Sequence, residues 1–249
     1  MRRGTALVAL AALAGAAGCG GGASGALRVS AASSLKSAFT RYGERRDGAP
    51  AAFSFAGSDE LAAQIRRGAR PDVFASADTR LPAQLFAAGR VERPVVFATN
   101  RLVLAVPIRD SRLGTVEGAA VPGVRVAIGA PHVPVGAYAR AALRRLDPAV
   151  ARAILRNVRT REPDVAGIVA KLATGALDAG FVYATDVRAS SGRLRAIELP
   201  RPAQPRIAYA AAVVRGARHA TAARAFVAGL LRGAGATALR QAGFGPPPR

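Results

Sequence analysis

Ala31-Ala32-Ser33-Ser34-Leu35, Phe55-Ala56-Gly57-Ser58-Asp59-Glu60-Leu61 and Pro71-Asp72-Val73-Phe74-Ala75-Ser76-Ala77-Asp78 decide how this chain is read. Each of the first two follows a strand-like apolar stretch and places a serine where a helix should begin. A serine at a helix start is ordinarily an N-cap. Two of them after consecutive strands, with small residues Ala32 and Gly57 beside them, also make a cradle in which free backbone N–H groups can meet an anion.

Working outward, strand and helix patterns alternate. Leu27, Val29 and Ala31 predict a strand, and Leu35, Ala38, Phe39 and Tyr42 predict an amphipathic helix. Further strands are expected at 52–56, 73–76, 101–106, 125–129, 179–183, 194–199 and 207–214. Helices are expected from Leu61 to Gly68, at 137–146, 148–158, about 165–172, 221–231 and 237–241. Asp164 is placed to cap the helix that begins at Val165. Repeated β-α units predict an α/β fold with mostly parallel sheets, whose ligand lies beyond the strands' carboxyl ends. The tail from Gly245 to Arg249 reads as disordered.

The 249 residues allow one or two domains with a sizeable core. There are 36 basic and 15 acidic residues, for a net charge of +21, yet the bases are almost all arginine. They are scattered in ones and twos, and aromatics make up only 5% with no Trp, which argues against a nucleic-acid platform. The basic surface is read as solvated. Met1-Arg2-Arg3 followed by an apolar run to Ala17 predicts a signal peptide over 1–18. The single cysteine, Cys19, ends a lipobox-like Ala16-Ala17-Gly18-Cys19, and residues 19–26 read as a lipidated, flexible tether. The alternative is a plain cleaved signal. Either way an exported protein is expected.

Several chemical readings were open. Neither histidine has a partner at metal-ligand spacing; His132 lies in a proline-flanked loop and His219 reads as exposed. Asp72 and Asp78 flank a short strand and suit turn and cap roles better than acid–base work. Gly20-Gly21-Gly22-Ala23-Ser24-Gly25 fits a dinucleotide fingerprint but follows no strand. Ser33-Ser34-Leu35-Lys36 fits the S-x-x-K of penicillin-binding proteins and β-lactamases, with Ser33 as nucleophile and Lys36 as its partner. The companion motifs S-D-N and K-T-G are missing.

Taken together, the three opening runs with His132-Val133-Pro134-Val135-Gly136-Ala137-Tyr138 and Gly180-Phe181-Val182-Tyr183-Ala184-Thr185-Asp186 resemble the molybdate-binding proteins of bacterial ABC importers. The resemblance runs from about Leu27 to Phe244. It implies a two-lobed periplasmic-binding-protein-like fold (type II), with residues 27–101 and 211–249 in one lobe and 102–210 in the other, joined by hinge strands. It implies that Ser34 and Ser58 hold molybdate or tungstate from one lobe, and that the N–H groups of Val135 and Val165 and the hydroxyl of Tyr183 hold it from the other. The metal would be bound only as its oxyanion, with no cofactor and no protein-coordinated cation. The expected partners are a membrane permease with a separate ATPase, and a membrane reached through the Cys19 lipid. A monomer and no enzymatic activity are implied. The alternatives are a binding protein for sulfate or another oxyanion, and the serine acyl-enzyme. Val135 stands where alanine is commoner in the family, which bears on fine selectivity.

Overall fold

The computed structural model describes residues 25–48, 50–109 and 113–248. The expected signal peptide, Cys19 and most of the tether lie outside these residues.

In chain order the elements are β1 (Leu27–Ala32), a 3-10 turn (Ser33–Leu35), α1 (Lys36–Arg45), β2 (Ala51–Ala56), α2 (Ser58–Arg66), β3 (Val73–Ser76), α3 (Arg80–Ala87) and β4 (Val95–Asn100). Next come β5 (Leu102–Pro107), a 3-10 turn (Glu117–Ala120), β6 (Val126–Gly129), α4 (Pro134–Leu143), α5 (Pro148–Arg156), β7 (Val158–Glu162), α6 (Val165–Ala173), β8 (Ala179–Tyr183) and α7 (Ala184–Ala189). Then follow β9 (Leu194–Glu198), a 3-10 turn (Arg201–Ala203), β10 (Ile207–Val213), α8 (Ala220–Leu231) and α9 (Gly233–Ala242).

The strands form two five-stranded sheets, ordered β2-β1-β3-β10-β4 and β7-β6-β8-β5-β9. Each is mixed: β1 pairs in parallel with β2 and β3, while β10 runs antiparallel to β3 and β4. Burial follows position. The inner strands β3 and β8 are buried at every residue, so both faces are covered and their sequences read as unbroken apolar runs. The edge strands β2 and β7 alternate buried or half-buried with exposed residues.

In the first sheet α1 turns Ala38, Phe39 and Tyr42 inward. Phe39 meets Phe226 of α8 edge-on at 5.4 Å, and Tyr42 lies 4.7 Å from the same ring. Asp72, buried before β3, accepts the N–H of Arg28, the N–H of His219 and a contact from His219 Nδ1 at 3.0 Å. Burial alone would raise its pKa, but these bonds outweigh it and hold the carboxyl below its ordinary value. His219, expected to be exposed, is therefore tucked against Asp72 at the start of α8. Asp78 accepts the N–H of Leu81 at the head of α3. Asp78 thus fills the expected cap role, whereas Asp72 makes long-range bonds to Arg28 and His219 in place of a local turn or cap.

Two other expectations change. Gly245 is paired in both directions with Thr99, and the Thr99 hydroxyl donates to the Pro246 carbonyl at 2.9 Å, so this part of the tail is pinned to β4. Strands β4 and β7 and helices α3 and α7 have no counterpart in the sequence reading.

The chain passes between sheets twice. Arg101 alone separates β4 from β5, and residues 199–206 connect β9 to β10. Strand β10 already pairs with β4 at Ile207, so by sheet membership the return lies before that residue rather than at 210 and 211. The two crossings are stitched together by Gln204, whose side chain accepts from the Leu102 N–H and donates to the Leu102 carbonyl. This junction sets the two sheets on either side of a cleft.

Candidate oxyanion site

Helix starts converge on that cleft from both sides. A small cavity there is lined by Ser34 and Ser58 from the first sheet's side and by Val135, Val165 and Tyr183 from the second's. All five residues picked out in the sequence are thus brought together. No lysine, arginine or histidine lines it.

Each side of the cavity is built by a recognisable local device. Helix α2 opens with Gly57 at the N-cap and Ser58 as its first residue, and no side chain caps it. The 3-10 turn carrying Ser34 likewise has no side-chain cap. On the opposite side α4 starts at Pro134, which has no N–H to lose, again without a side-chain cap. Helix α6 is capped by Asp164, but its carboxylate takes the Gly167 N–H and not that of Val165. The first N–H groups of an α-helix lack partners within the helix, and each helix start carries about half a positive charge. The N–H groups of Val135 and Val165 are therefore free donors at the cavity wall.

The serines are not N-caps. Ser58 Oγ accepts the Ala77 N–H at 3.1 Å. Ser34 Oγ lies 3.0 Å from the Tyr209 hydroxyl. That hydroxyl in turn is 3.5 Å from Asn100 Nδ2, a donor only, and Asn100 also donates to Thr185 Oγ1 at 2.9 Å. Either oxygen of the Ser34–Tyr209 pair can be the donor; with Tyr209 donating, the Ser34 O–H is left for the cavity. Ser58 has an acceptor site occupied by the Ala77 N–H and an O–H left to donate into the cavity.

Tyr183 completes the set. Its hydroxyl is buried without any hydrogen-bond partner. An orphaned buried hydroxyl costs about 1–3 kcal/mol, so it marks a place where a ligand acceptor belongs. Burial, reinforced by the neighbouring Tyr209, raises its pKa well above the ordinary phenol value, which keeps it a donor. The ring is held edge-on between Tyr138 at 6.4 Å and Tyr209 at 5.7 Å. Asp186, three residues on, fixes the backbone by accepting the Tyr183 N–H at 3.0 Å. Burial pushes the Asp186 carboxyl up to about 7.

Tyr209, Asn100 and Ala77 are participants that the sequence reading missed. The available signal was Tyr209 itself, a lone phenol inside the otherwise aliphatic β10. Replacing it by Phe removes the donor that turns Ser34 toward the cavity. The expected result is a threefold to tenfold weaker oxyanion affinity, roughly one ordinary hydrogen bond, measured by calorimetry. An unchanged affinity would free Ser34 from this relay.

A larger groove of about 760 Å³ lies beside the cavity, between α1 and helices α6 and α7. Lys36 lines this groove and is exposed, and no hydrogen bond joins it to Ser33. The S-x-x-K spacing therefore does not assemble a nucleophile and base here. Among the described residues there is no cluster of three potential metal ligands, and no helix is long and apolar enough to cross a membrane.

Comparison with known proteins identifies the family. Residues 27–245 match the family described as bacterial extracellular solute-binding protein. The molybdate-binding protein ModA of Mycobacterium tuberculosis (strain ATCC 25618 / H37Rv) is 36% identical over 225 residues, covering 88% of this chain and 84% of the relative. ModA of Escherichia coli (strain K12) is 31% identical over 208 residues, covering 78% and 79%. Among solved structures, the periplasmic molybdate-binding protein of Azotobacter vinelandii superposes with a TM-score of 0.78 at 22% identity, covering 89% of this chain and all of that one. The sulfate-binding protein SubI of Mycobacterium tuberculosis gives 0.76 at 16% identity, covering 89% and 86%. These two structures speak to the fold alone, which is the two-lobed α/β fold expected from the sequence. The family match, the 36% relative and the cleft between two mixed sheets agree: this chain belongs to the bacterial extracellular solute-binding protein family.

Proposed function

We propose that the protein captures molybdate or tungstate in the interlobe cleft and delivers it to the membrane permease of an ABC importer. Ser34 and Ser58 bind from one lobe, and Val135, Val165 and Tyr183 from the other. The observation that carries this reading is the orphaned Tyr183 hydroxyl, facing a cavity in which helix N-termini and two oriented serines also present donors. A tetrahedral dianion supplies acceptors in every direction. Several helix ends plus directed hydrogen bonds can hold it without a guanidinium or ammonium group.

Binding contributions from both lobes stabilise the closed arrangement over an open one, with the Arg101 and 199–206 crossings as hinge. The protein acts by binding and release, not by catalysis, and ATP hydrolysis belongs to a separate subunit. It works outside the cytoplasm as a monomer, held to a membrane through lipid on Cys19.

Thermal denaturation with molybdate, tungstate, sulfate and phosphate tests the ligand class. Molybdate and tungstate at 100 times their dissociation constants should each stabilise by about 2.7 kcal/mol, with sulfate and phosphate weaker. Stabilisation by sulfate alone would reassign the site to that anion. No response to any of the four would remove the oxyanion reading.

A further inference from the structure

We infer that Asp59 and His132 are positioning residues that strap the two lobes together across the cleft and set how long the ligand stays bound. The inference rests on the oxyanion reading of the site. Asp59 is the second residue of α2, immediately after Ser58. His132 stands three residues before Val135, in the loop that leads into α4. Their side chains meet across the cleft, with His132 Nε2 3.3 Å from Asp59 Oδ2. The same loop is held a second time, because Arg80 at the head of α3 donates to the His132 carbonyl at 3.4 Å. Arg80 also lies 3.5 Å from Asp78, which fixes its direction.

The contact joins neighbours of two proposed ligand contacts that come from opposite lobes. Holding Asp59 against His132 holds the Ser58 hydroxyl at its distance from the Val135 N–H. Neither Asp59 nor His132 lines the oxyanion cavity, so they act through the residues beside them.

A carboxylate one residue from an anion site repels a dianion, and its second oxygen, Asp59 Oδ1, is buried without a partner. Judged by Coulomb's law alone, removing that charge should tighten binding and slow release. A strap predicts the opposite sign. The pair is partly open to water, with the His132 side chain 70% exposed, so the effect is modest.

The test is the dissociation rate of molybdate from the full mature chain, followed by chase with excess tungstate at low salt. Asp59→Asn and His132→Ala should each release about twofold to fivefold faster, with little change in association. The double variant should be no faster than the worse single one, because one contact has been broken twice. His132→Gln, which keeps a donor, should recover part of the loss. The melting temperature of each ligand-free variant controls for misfolding. Unchanged or slower release from Asp59→Asn overturns the strap while leaving the oxyanion site intact. If the wild-type protein shows no molybdate response at all, small-angle scattering of the ligand-free proteins decides the matter. A larger radius of gyration for the variants supports the strap, and identical profiles overturn it.

Discussion

Gly57→Ala is expected to weaken oxyanion binding about 100-fold, or roughly 2.7 kcal/mol, while leaving the ligand-free fold in place. A Cβ built on Gly57 would lie 2.5 Å from the carbonyl oxygen of Pro163, on the opposite side of the cleft. That oxygen is backbone, immediately before the cap of α6, so it cannot swing aside like the end of a long side chain. The backbone angles at Gly57, φ −61° and ψ 136°, suit alanine without strain. The one local neighbour is Asp59 Oδ1, 2.9 Å from that Cβ, the end of a short side chain that can turn away, whereas the Pro163 carbonyl cannot, so the larger cost falls on closure.

With the lobes held apart by even an ångström, Ser58 and Val165 can no longer both reach one tetrahedral ion. Hydrogen bonds lose most of their strength beyond their normal range. Gly57→Val should deepen the defect. The measurement is calorimetric affinity, beside a ligand-free melting curve within about 1 kcal/mol of wild type, the range of an unstrained glycine replacement. Affinity near the wild-type value would show that the two walls need not approach as closely as they do here.

The parts of this architecture that were legible in the sequence are those carried by local periodicity. Leu35, Ala38, Phe39 and Tyr42 name the buried face of α1, and Leu102 to Pro107 is so uniformly apolar that it reads as an inner strand. Strand β7 escaped because its inward-facing residues are not all apolar. Glu162 is buried there only because Lys171 meets it at 2.5 Å and the Thr160 hydroxyl bonds it as well. Helix α7 is too short, at six residues, to show a period. Strand β4 was not expected at all; Arg101 alone separates it from β5, so no turn signal marks where one strand ends and the next begins.

The five residues that line the cavity were picked out by motif, but the contacts that orient them were not. Ala77 is fixed to Ser58 across a strand and a helix, and Tyr209 meets Ser34 across 175 positions of sequence. The ring that orients Ser34 belongs to the strand that returns from the second lobe. No window of sequence contains such a contact, because it exists only once the sheet order β1-β3-β10 has formed. The serines looked like N-caps for the same reason: position suggests a cap, whereas the actual hydrogen-bond partner is set by tertiary structure.

Ser58→Ala should cost the most among changes that leave closure sterically possible: about 1–3 kcal/mol of affinity and, separately, about 1 kcal/mol of stability. The two losses come from different sides of one oxygen, its O–H and one of its lone pairs. In the proposed site the hydroxyl proton is the donor aimed at the ligand, and removing it leaves one ligand oxygen facing a methyl group. The acceptor side is occupied by the Ala77 N–H, in a place where Ser58 is 2% and Ala77 4% exposed. Once the hydroxyl is gone, that N–H is buried without a partner in ligand-free and bound protein alike.

The stability loss should therefore appear in chemical denaturation without ligand, and the affinity loss in calorimetry. Tyr209→Phe differs, since it only releases the orientation of a hydroxyl that remains. A Ser58→Ala protein with lowered stability but unchanged affinity would keep the Ala77 bond and remove Ser58 from the ligand's contacts. The reverse result would show that water replaces the serine as partner of Ala77. Only the loss of both establishes that this oxygen joins the wall of the first lobe to the ligand.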